Sequence, residues 1–421
     1  MKRNSLLLAT ALLIGMTGCK NTPVQKEAWI SNALDAASYQ LKSTAEELSG
    51  TSKFPRSIHS GYDVNFLDTQ LQRENKAYID SLHPNPEALQ LGQKRLCGIA
   101  DWTSGFFPGS LWYAYELTGD EELKKRAIEY TNILNPIREL KGTHDVGFMM
   151  NCSYGNALRL APNDTIKAVL VETADNLCAR FNRKSVYTLV GLGAWNFPVI
   201  IDNMMNLDLL FNVYKLTGDE KYKNVAVKHA QTTMKNHFRP DYTSYHVVSY
   251  NNDGSVEIKQ THQGKNAESA WSRGQAWGVY GYTSCYRETR DTAFLQEAVH
   301  IADMIMERVK TDDLIPYWDY DAPAGEKTPR DASAAAVTAS AFLELSTFAP
   351  DGKKYSDYAE TILKNLSGPK YLAAKGSNQG YVLMHSTGSL PHGSEIDVPL
   401  NYADYYYMEA LKRYIDLKNK G

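Results

Sequence analysis

The phrase Tyr115-Glu116-Leu117-Thr118-Gly119-Asp120-Glu121-Glu122-Leu123 predicts the end of one helix and the start of the next. Glycine readily adopts the left-handed conformation that ends many helices, and aspartate is a favoured N-cap of the helix that follows. The phrase returns as Tyr-Lys-Leu-Thr-Gly-Asp-Glu-Lys-Tyr at 214–222, with weaker echoes at 286–294 and 348–355. The chain is therefore predicted to be built from repeated helical hairpins.

The two helices of each hairpin differ in character. The segment before the turn is rich in aromatic and apolar residues, as at 110–115, and the segment after it is amphipathic, as at 123–130. One helix of each pair should be buried and its partner half-exposed. Such hairpins stack either into an open superhelix or into a closed ring of inner helices wrapped by outer ones.

Long loops favour the closed, all-α barrel with a functional mouth, because binding residues are often carried on loops. These loops are rich in Gly, Asp, His and Trp and span 142–147, 184–198, 243–271 and 315–331. A short strand hairpin is expected around 245–256.

The N-terminus has the pattern of a bacterial lipoprotein signal. Lys2 and Arg3 precede an apolar run at 6–16, which ends on Gly18-Cys19. We expect residues 1–18 to be removed, Cys19 to be lipidated, and the protein to be exported to the periplasm and held at a membrane only by its lipid. The alternative is an ordinary secretory signal with a chance cysteine. Residues 19–40 are expected to form a tether and first helix region, and 41–421 a single catalytic domain.

Composition narrows the function. The 421 residues are 43% hydrophobic and 22% charged, with a net charge of −3, which argues against nucleic acid as a partner. The four cysteines after Cys19 show no Cys-x-x-Cys spacing, so neither a disulfide framework nor a metal site is expected. The 27 tyrosines suit a sugar site, although many must simply pack.

Two aspartates stand out. Asp145 lies between His144 and Val146-Gly147, where a loop or helix start is expected, and Asp202 follows the apolar run 199–201 and should enter a buried helix. A buried carboxyl is costly to ionise unless it is paired, and one that keeps its proton can act as a general acid. The alternative is that both residues cap helices.

Three further segments carry aromatic and polar residues together: 101–112, 263–277 and 385–411. The first is a glycine-flanked aromatic loop that leads into a helix. In the second, Arg273 and Trp277 are one helical turn apart, so they can place a cation beside an aromatic ring. Core packing is the alternative role for its two tryptophans.

Together these segments resemble the unsaturated glucuronyl hydrolases, glycoside hydrolase family 88, from about Trp102 to the C-terminal helix. The motifs are His-Asp-x-Gly-Phe at 144–148, Ile-Ile-Asp-Asn-Met-Met-Asn at 200–206 and Trp-x-Arg-Gly-Gln-Ala-Trp at 271–277. The resemblance implies an (α/α)6 barrel. It also implies removal of the unsaturated uronate that polysaccharide lyases leave at the non-reducing end of glycosaminoglycan fragments.

The resemblance assigns roles as well. Asp202 would be the general acid and then base, and Asp145 its partner, in a hydration of the C4=C5 double bond that needs no metal and no organic cofactor. The substrate-binding residues implied are Trp102, His144, Trp195, His246, Gln263, Trp271, Arg273, Trp277, His385 and Gly388. Trp195 would stand in for a tryptophan that the family carries upstream of the acid.

Specificity is expected to depend on His385 and Gly388, since these positions resemble relatives that accept sulfated chondroitin- or heparin-type disaccharides. Gly388 would leave room and offer its backbone N–H, and His385 would supply a donor or a positive charge. Two alternatives remain at this point. One is an unsaturated rhamnogalacturonyl hydrolase acting on pectin fragments, and the other is a non-catalytic glycan-binding lipoprotein.

Overall fold

The computed structural model describes residues 27–59, 92–181 and 195–420. The predicted signal peptide 1–18 and Cys19 lie outside these residues, as does most of the predicted 184–198 loop. In chain order the helices are α1 (Ala28–Glu47), α2 (Phe106–Thr118), α3 (Glu121–Ile133), α4 (Val146–Met150), α5 (Asn156–Leu160), α6 (Asp164–Ala179), α7 (Leu207–Thr217), α8 (Glu220–His237), α9 (Ser272–Thr289), α10 (Thr292–Arg308), α11 (Ala332–Leu345), α12 (Gly352–Leu366) and α13 (Asn401–Lys420). No helix within the described ranges combines the length and apolarity needed to cross a bilayer.

The helices form two concentric layers. The inner ring consists of α2, the α4–α5 pair, α7, α9, α11 and α13, each packed on the next, and α13 returns to α2. A π-helical turn, Asn151–Gly155, joins α4 to α5. The outer layer consists of α1, α3, α6, α8, α10 and α12. The predicted (α/α)6 barrel is confirmed.

Burial separates the layers as the sequence indicates. Every residue of α11 except Glu344 is buried, whereas its partner α12 buries only one stripe of side chains. The N-terminal helix α1 supplies the outer layer beside α13, where Trp29 packs against Tyr414 with ring centroids 5.5 Å apart. Because α1 continues to Glu47, residue 40 lies inside a helix.

Three of the four predicted turns have the expected geometry. The residue that ends the inner helix is left-handed, with φ of +73°, +72° and +60° at Gly119, Gly218 and Arg290. The next residue accepts a hydrogen bond from the backbone N–H two positions on, and these N-caps are Asp120, Asp219 and Asp291. The local turn chemistry therefore sets the hairpins.

The fourth turn differs. Ser346 ends α11 in a right-handed conformation, and Asp351 makes no side-chain capping bond. Glycine is required at 352 for a different reason, since a Cβ there would lie 2.0 Å from the Ser346 carbonyl oxygen. This echo of the repeat is a close helix–loop contact instead of a left-handed turn.

Two small sheets lie among the loops. Strands β1 (Phe54–Ile58) and β2 (Lys94–Cys97) pair antiparallel, and β3 (Pro198–Ile200), β4 (Val247–Tyr250) and β5 (Val256–Gln260) form a second antiparallel sheet. The predicted hairpin at 245–256 is confirmed as β4–β5. The second sheet matters for function because β3 leads directly to Asp202.

Candidate active site

Asp202 lies in a 3-10 helix, Ile201–Asn206, between β3 and α7. It is 8% exposed, and Ile200 occupies the N-cap position, so Asp202 does not cap this helix. Its Oδ2 atom has no hydrogen-bond partner among the described residues. The expected buried carboxyl is therefore present, and its Oδ2 makes no hydrogen bond that holds the fold among the described residues.

His246 faces this oxygen. Its Nδ1 accepts hydrogen bonds from the backbone N–H groups of His262 (3.2 Å) and Gln263 (3.0 Å). A nitrogen that accepts carries no proton, so the neutral ring holds its proton on Nε2. Nε2 lies 3.4 Å from Asp202 Oδ2, a contact longer than a well-formed hydrogen bond. The Ile201 N–H donates to the His246 carbonyl at 3.0 Å and fixes this pairing.

Asp145 occupies the N-cap position of α4, yet its side chain does not cap the helix. Its carboxylate accepts from the Thr143 hydroxyl at 2.9 Å and lies 3.1 Å from His144 Nε2. Burial acts to raise the pKa of Asp145, but His144 and Thr143 outweigh it and hold this pKa below the ordinary aspartate value. The surroundings of Asp145 therefore favour the ionised form of its carboxyl.

Asn206 joins the segments that carry the two aspartates. Its Oδ1 accepts from the Phe148 N–H at 2.8 Å, and its Nδ2 lies 3.5 Å from the Asp202 carbonyl oxygen. Gly147 allows this approach, because a Cβ there would lie 2.5 Å from Asn206 Oδ1. Asn206 was not among the predicted site residues, although its position at the end of the 200–206 motif indicated a role in the site.

Arg273 forms a buried wall of the site. It is 1% exposed, and its guanidinium donates to Asp331 Oδ2 (2.7 Å) and to the carbonyls of Thr387 (2.6 Å) and Gly388 (2.5 Å). Asp331 also caps α11. It was not among the predicted site residues, and its only signal in the sequence is an aspartate that precedes an alanine-rich helix.

The aromatic partners of Arg273 are Trp271 and, at 5.4 Å, Tyr402, and the predicted Trp277 is not among them. The guanidinium lies 4.5 Å from the Trp271 ring centroid, and the Trp271 ring also stacks with the His246 ring at 4.4 Å. Position 273 follows Trp271 at the very start of α9, so the two side chains meet in a way that helical spacing alone does not predict.

Trp102 and Trp277 contribute to an aromatic floor. Trp102 is half-buried and packs on Tyr402 (5.0 Å) and Phe148 (5.5 Å). Trp277 is fully buried between Phe148 (5.5 Å) and Tyr406 (5.4 Å). For Trp277 the core alternative is therefore correct, whereas Trp102 keeps an exposed portion.

Gly388 is placed differently from the expectation. Its N–H donates to the Glu395 carbonyl at 2.6 Å, and its missing side chain would meet Glu395 Oε2 at 2.6 Å. The predicted sulfate contact through this N–H is wrong, because the group is already bonded. The Gly388 carbonyl instead accepts from Arg273 and from Gln263 Nε2, the latter at 2.9 Å.

The remaining predicted residues lie at the rim. His385 has a left-handed φ of +62°, and its Nδ1 lies 2.7 Å from Asp397 Oδ1. It lines a cavity of about 780 Å³ with Lys327, Arg330 and Lys370. Trp195 is half-buried in the segment before β3, and its role stays a prediction.

Comparisons with known proteins identify related chains. The model of Glycosyl Hydrolase Family 88 matches residues 71–415, and that of a domain of unknown function matches 1–73. An unsaturated glucuronyl hydrolase of Formosa agariphila is 46% identical over 319 residues, 74% of this chain and 80% of that protein. An unsaturated chondroitin disaccharide hydrolase of Streptococcus agalactiae is 32% identical, covering 81% of this chain and 87% of its own.

A crystal structure of an unsaturated glucuronyl hydrolase specific for heparin superposes with a TM-score of 0.81 and 46% identity, covering 93% of this chain and 98% of the other. A second, the enzyme of Bacillus sp. GL1, gives a TM-score of 0.78 at 26% identity, covering 91% of this chain and 96% of the other. This chain belongs to glycoside hydrolase family 88.

Proposed function

We propose that this enzyme removes the Δ4,5-unsaturated uronate from the non-reducing end of lyase-generated glycosaminoglycan fragments. The observation that carries the proposal is a buried carboxyl, Asp202, whose Oδ2 makes no hydrogen bond among the described residues, on a segment that Asn206 joins to that of a second carboxylate, Asp145, which its neighbours keep ionised. The relatives named for this activity support the substrate class.

The two carboxyl groups suit hydration of an enol ether. Protonated Asp202 delivers its proton to C4, which leaves positive charge shared between C5 and the ring oxygen. Ionised Asp145 stabilises that charge. Water then adds at C5 and returns a proton to Asp202, which acts as the base. The resulting hemiketal opens, and the hemiacetal left at C1 expels the neighbouring sugar, so one water is consumed with no net oxidation.

The remaining side chains orient this reaction. The Nε2–H of His246 points toward Asp202 and can hold the ionised carboxylate between the two proton transfers. The Gln263 amide is fixed on the Gly388 carbonyl and suits a hydroxyl of the uronate. The buried Arg273, whose Nη1 and Nη2 are already bonded, adds positive charge behind that carbonyl.

The test is loss of absorbance at about 230–235 nm when purified protein meets unsaturated disaccharides, because hydration destroys the conjugated double bond. Turnover of chondroitin- or heparin-derived disaccharides is expected. Turnover restricted to pectin-derived unsaturated disaccharides would replace the proposal with a rhamnogalacturonyl specificity.

We further propose that sulfated disaccharides are preferred. The support for this is a cavity that His385 lines together with three cationic side chains, Lys327, Arg330 and Lys370, of which Arg330 and Lys370 also pair with Asp313. Clustered cations of this kind attract an anionic sulfate.

Lys370→Met should lower kcat/KM for sulfated substrate at least about fivefold more than for unsulfated substrate, as expected for loss of one exposed charge contact. Lys353→Met, on the exposed face of α12, is the matched control and should change neither. A wild-type preference for unsulfated disaccharide would contradict the proposal.

We also propose export and lipid anchoring through Cys19, on the strength of the 1–19 sequence alone.

A further inference from the structure

The N-terminal segment reaches the catalytic mouth. Strand β1 lies outside residues 71–415, the range that matches the hydrolase family, and inside the range that matches a domain of unknown function. The Asn401 side chain at the start of α13 donates to the Pro55 carbonyl (2.7 Å) and to the Thr103 carbonyl (3.0 Å). It therefore ties β1 to the turn that carries Trp102.

Arg56 in β1 bridges two carboxylates at this place. Its Nε donates to Glu395 Oε1 at 2.6 Å, its Nη2 to Glu395 Oε2 at 3.3 Å, and its Nη1 to Asp101 Oδ2 at 2.5 Å. Burial acts to raise the pKa of Glu395, but Arg56 and Arg95 outweigh it and hold this pKa at about 2. The bridge is largely removed from water, and only arginine has the planar set of donors that can make all three hydrogen bonds at once.

Each bridged carboxylate shapes one wall of the site. Asp101 Oδ1 accepts from the Thr103 N–H (2.9 Å) and hydroxyl (2.7 Å), which closes the turn around Trp102. Glu395 is left-handed at φ +58°, a costly conformation for this residue type. Held there, its carbonyl receives the Gly388 N–H, and the Gly388 carbonyl in turn accepts from Arg273 and Gln263.

We propose that Arg56 is a positioning residue for substrate binding, and that the N-terminal segment of unknown function serves this enzyme by completing the catalytic mouth. Arg56 touches neither reacting carboxylate. It acts through Glu395 and Asp101 on the groups that receive the unsaturated uronate, so the assay of its role rests on the proposed function.

The experiment compares Arg56→Met, Arg56→Lys and Asp101→Asn with a control from the same N-terminal segment. Lys42→Met is that control, since Lys42 in α1 pairs with Asp120 at the outer hairpin turn, away from the mouth. Arg56→Met should raise KM at least about tenfold with kcat within about threefold, because loosened binding groups act on substrate and transition state alike. Arg56→Lys should recover part of the loss, and Lys42→Met should change neither constant.

If Arg56 served only to stabilise the fold, its replacement would lower kcat and leave KM unchanged. Partial unfolding lowers the active fraction, and hence kcat, while the KM of the surviving enzyme stays at the wild-type value, and that result would overturn the proposal. If Arg56→Met does not fold, the KM values of Arg56→Lys and Asp101→Asn decide.

Backbone hydrogen exchange gives a readout that needs no substrate. In Arg56→Lys, exchange at 385–398 and 101–104 should be at least about tenfold faster than in wild type or in Lys42→Met. Unchanged exchange would refute the inference even if the enzyme is active. Faster exchange in Arg56→Lys, together with a wild-type protein that is inactive on every unsaturated disaccharide, would refute the proposed function and leave the positioning of these walls by Arg56 intact.

Discussion

Replacing Asp202 by Asn separates proton transfer from folding. The amide has the volume of the carboxyl, and within the part of the chain that the structure describes the only close polar contact of Oδ2 is the 3.4 Å approach of His246 Nε2. The Asn carbonyl oxygen can keep that contact, so the free energy of unfolding should change by less than ~1 kcal/mol. A single general acid–base step contributes ~10²–10⁴-fold, and Asp202 serves twice, so kcat should fall by at least about 10⁴-fold, roughly 5.4 kcal/mol in activation free energy.

The assay is the decay of absorbance at about 230–235 nm with a saturating unsaturated disaccharide, alongside thermal unfolding of the same preparations. Asp208→Asn is the matched control. It removes a partly buried carboxylate six residues further on, which pairs with Arg287 at 2.8 Å, and should destabilise the protein by about 1.5–3 kcal/mol, as for loss of a hydrogen bond to a charged group. The folded fraction of Asp208→Asn should keep its turnover. More than about a tenth of wild-type activity in Asp202→Asn would show that the general acid has been misassigned.

Three further outcomes are expected. The Glu395 pKa of about 2, below its ordinary 4.5, means that this group's contribution to stability is complete above pH 4.5 and is lost as pH falls toward 2. Acid titration of unfolding should therefore show a loss of up to roughly 3 kcal/mol that Glu395→Gln lacks. Gly147→Ala should lower kcat/KM at least about tenfold by displacing Asn206, as overpacking costs ~1–3 kcal/mol, while Gly142→Ala, with open space around it, should not. Cys19→Ala should move the exported protein from the membrane to the soluble fraction, and an unchanged membrane fraction would refute lipidation.

Local sequence predicted the hairpins well because their signals act over a few residues. The left-handed residues at 119, 218 and 290 and the aspartates that follow them satisfy helix ends with atoms two to four positions away. The prediction of a fourth such turn was wrong because glycine at position 352 is required by a close tertiary contact with the Ser346 carbonyl. The same residue types, Asp and Gly, therefore mark a capped helical turn in one place and a close backbone contact in another.

Sequence motifs also located the two aspartates, but not their electrostatic states. Asp145 is kept ionised by His144 and Thr143, which are its neighbours in the chain. The setting of Asp202 depends on His246, 44 positions away and brought near by the pairing of β3 with β4. Strand pairing over that distance leaves no local pattern.

The amino-acid sequence was enough to predict the repeated hairpins, the burial difference between inner and outer helices, and the family to which the motifs belong. Those features follow from helix periodicity and capping, which are properties of short segments. Three contacts became visible only in the folded protein. Arg273 stacks on Trp271, the Gly388 N–H donates to the Glu395 carbonyl, and Arg56 bridges Glu395 and Asp101. Arg56 lies 45 positions from Asp101 and 339 from Glu395, Gly388 and Glu395 face each other across a loop, and the Arg273 contact depends on side-chain direction at a helix start. Short-range sequence patterns specify none of these contacts, which form when the ring of helices closes and brings its loops together at one end.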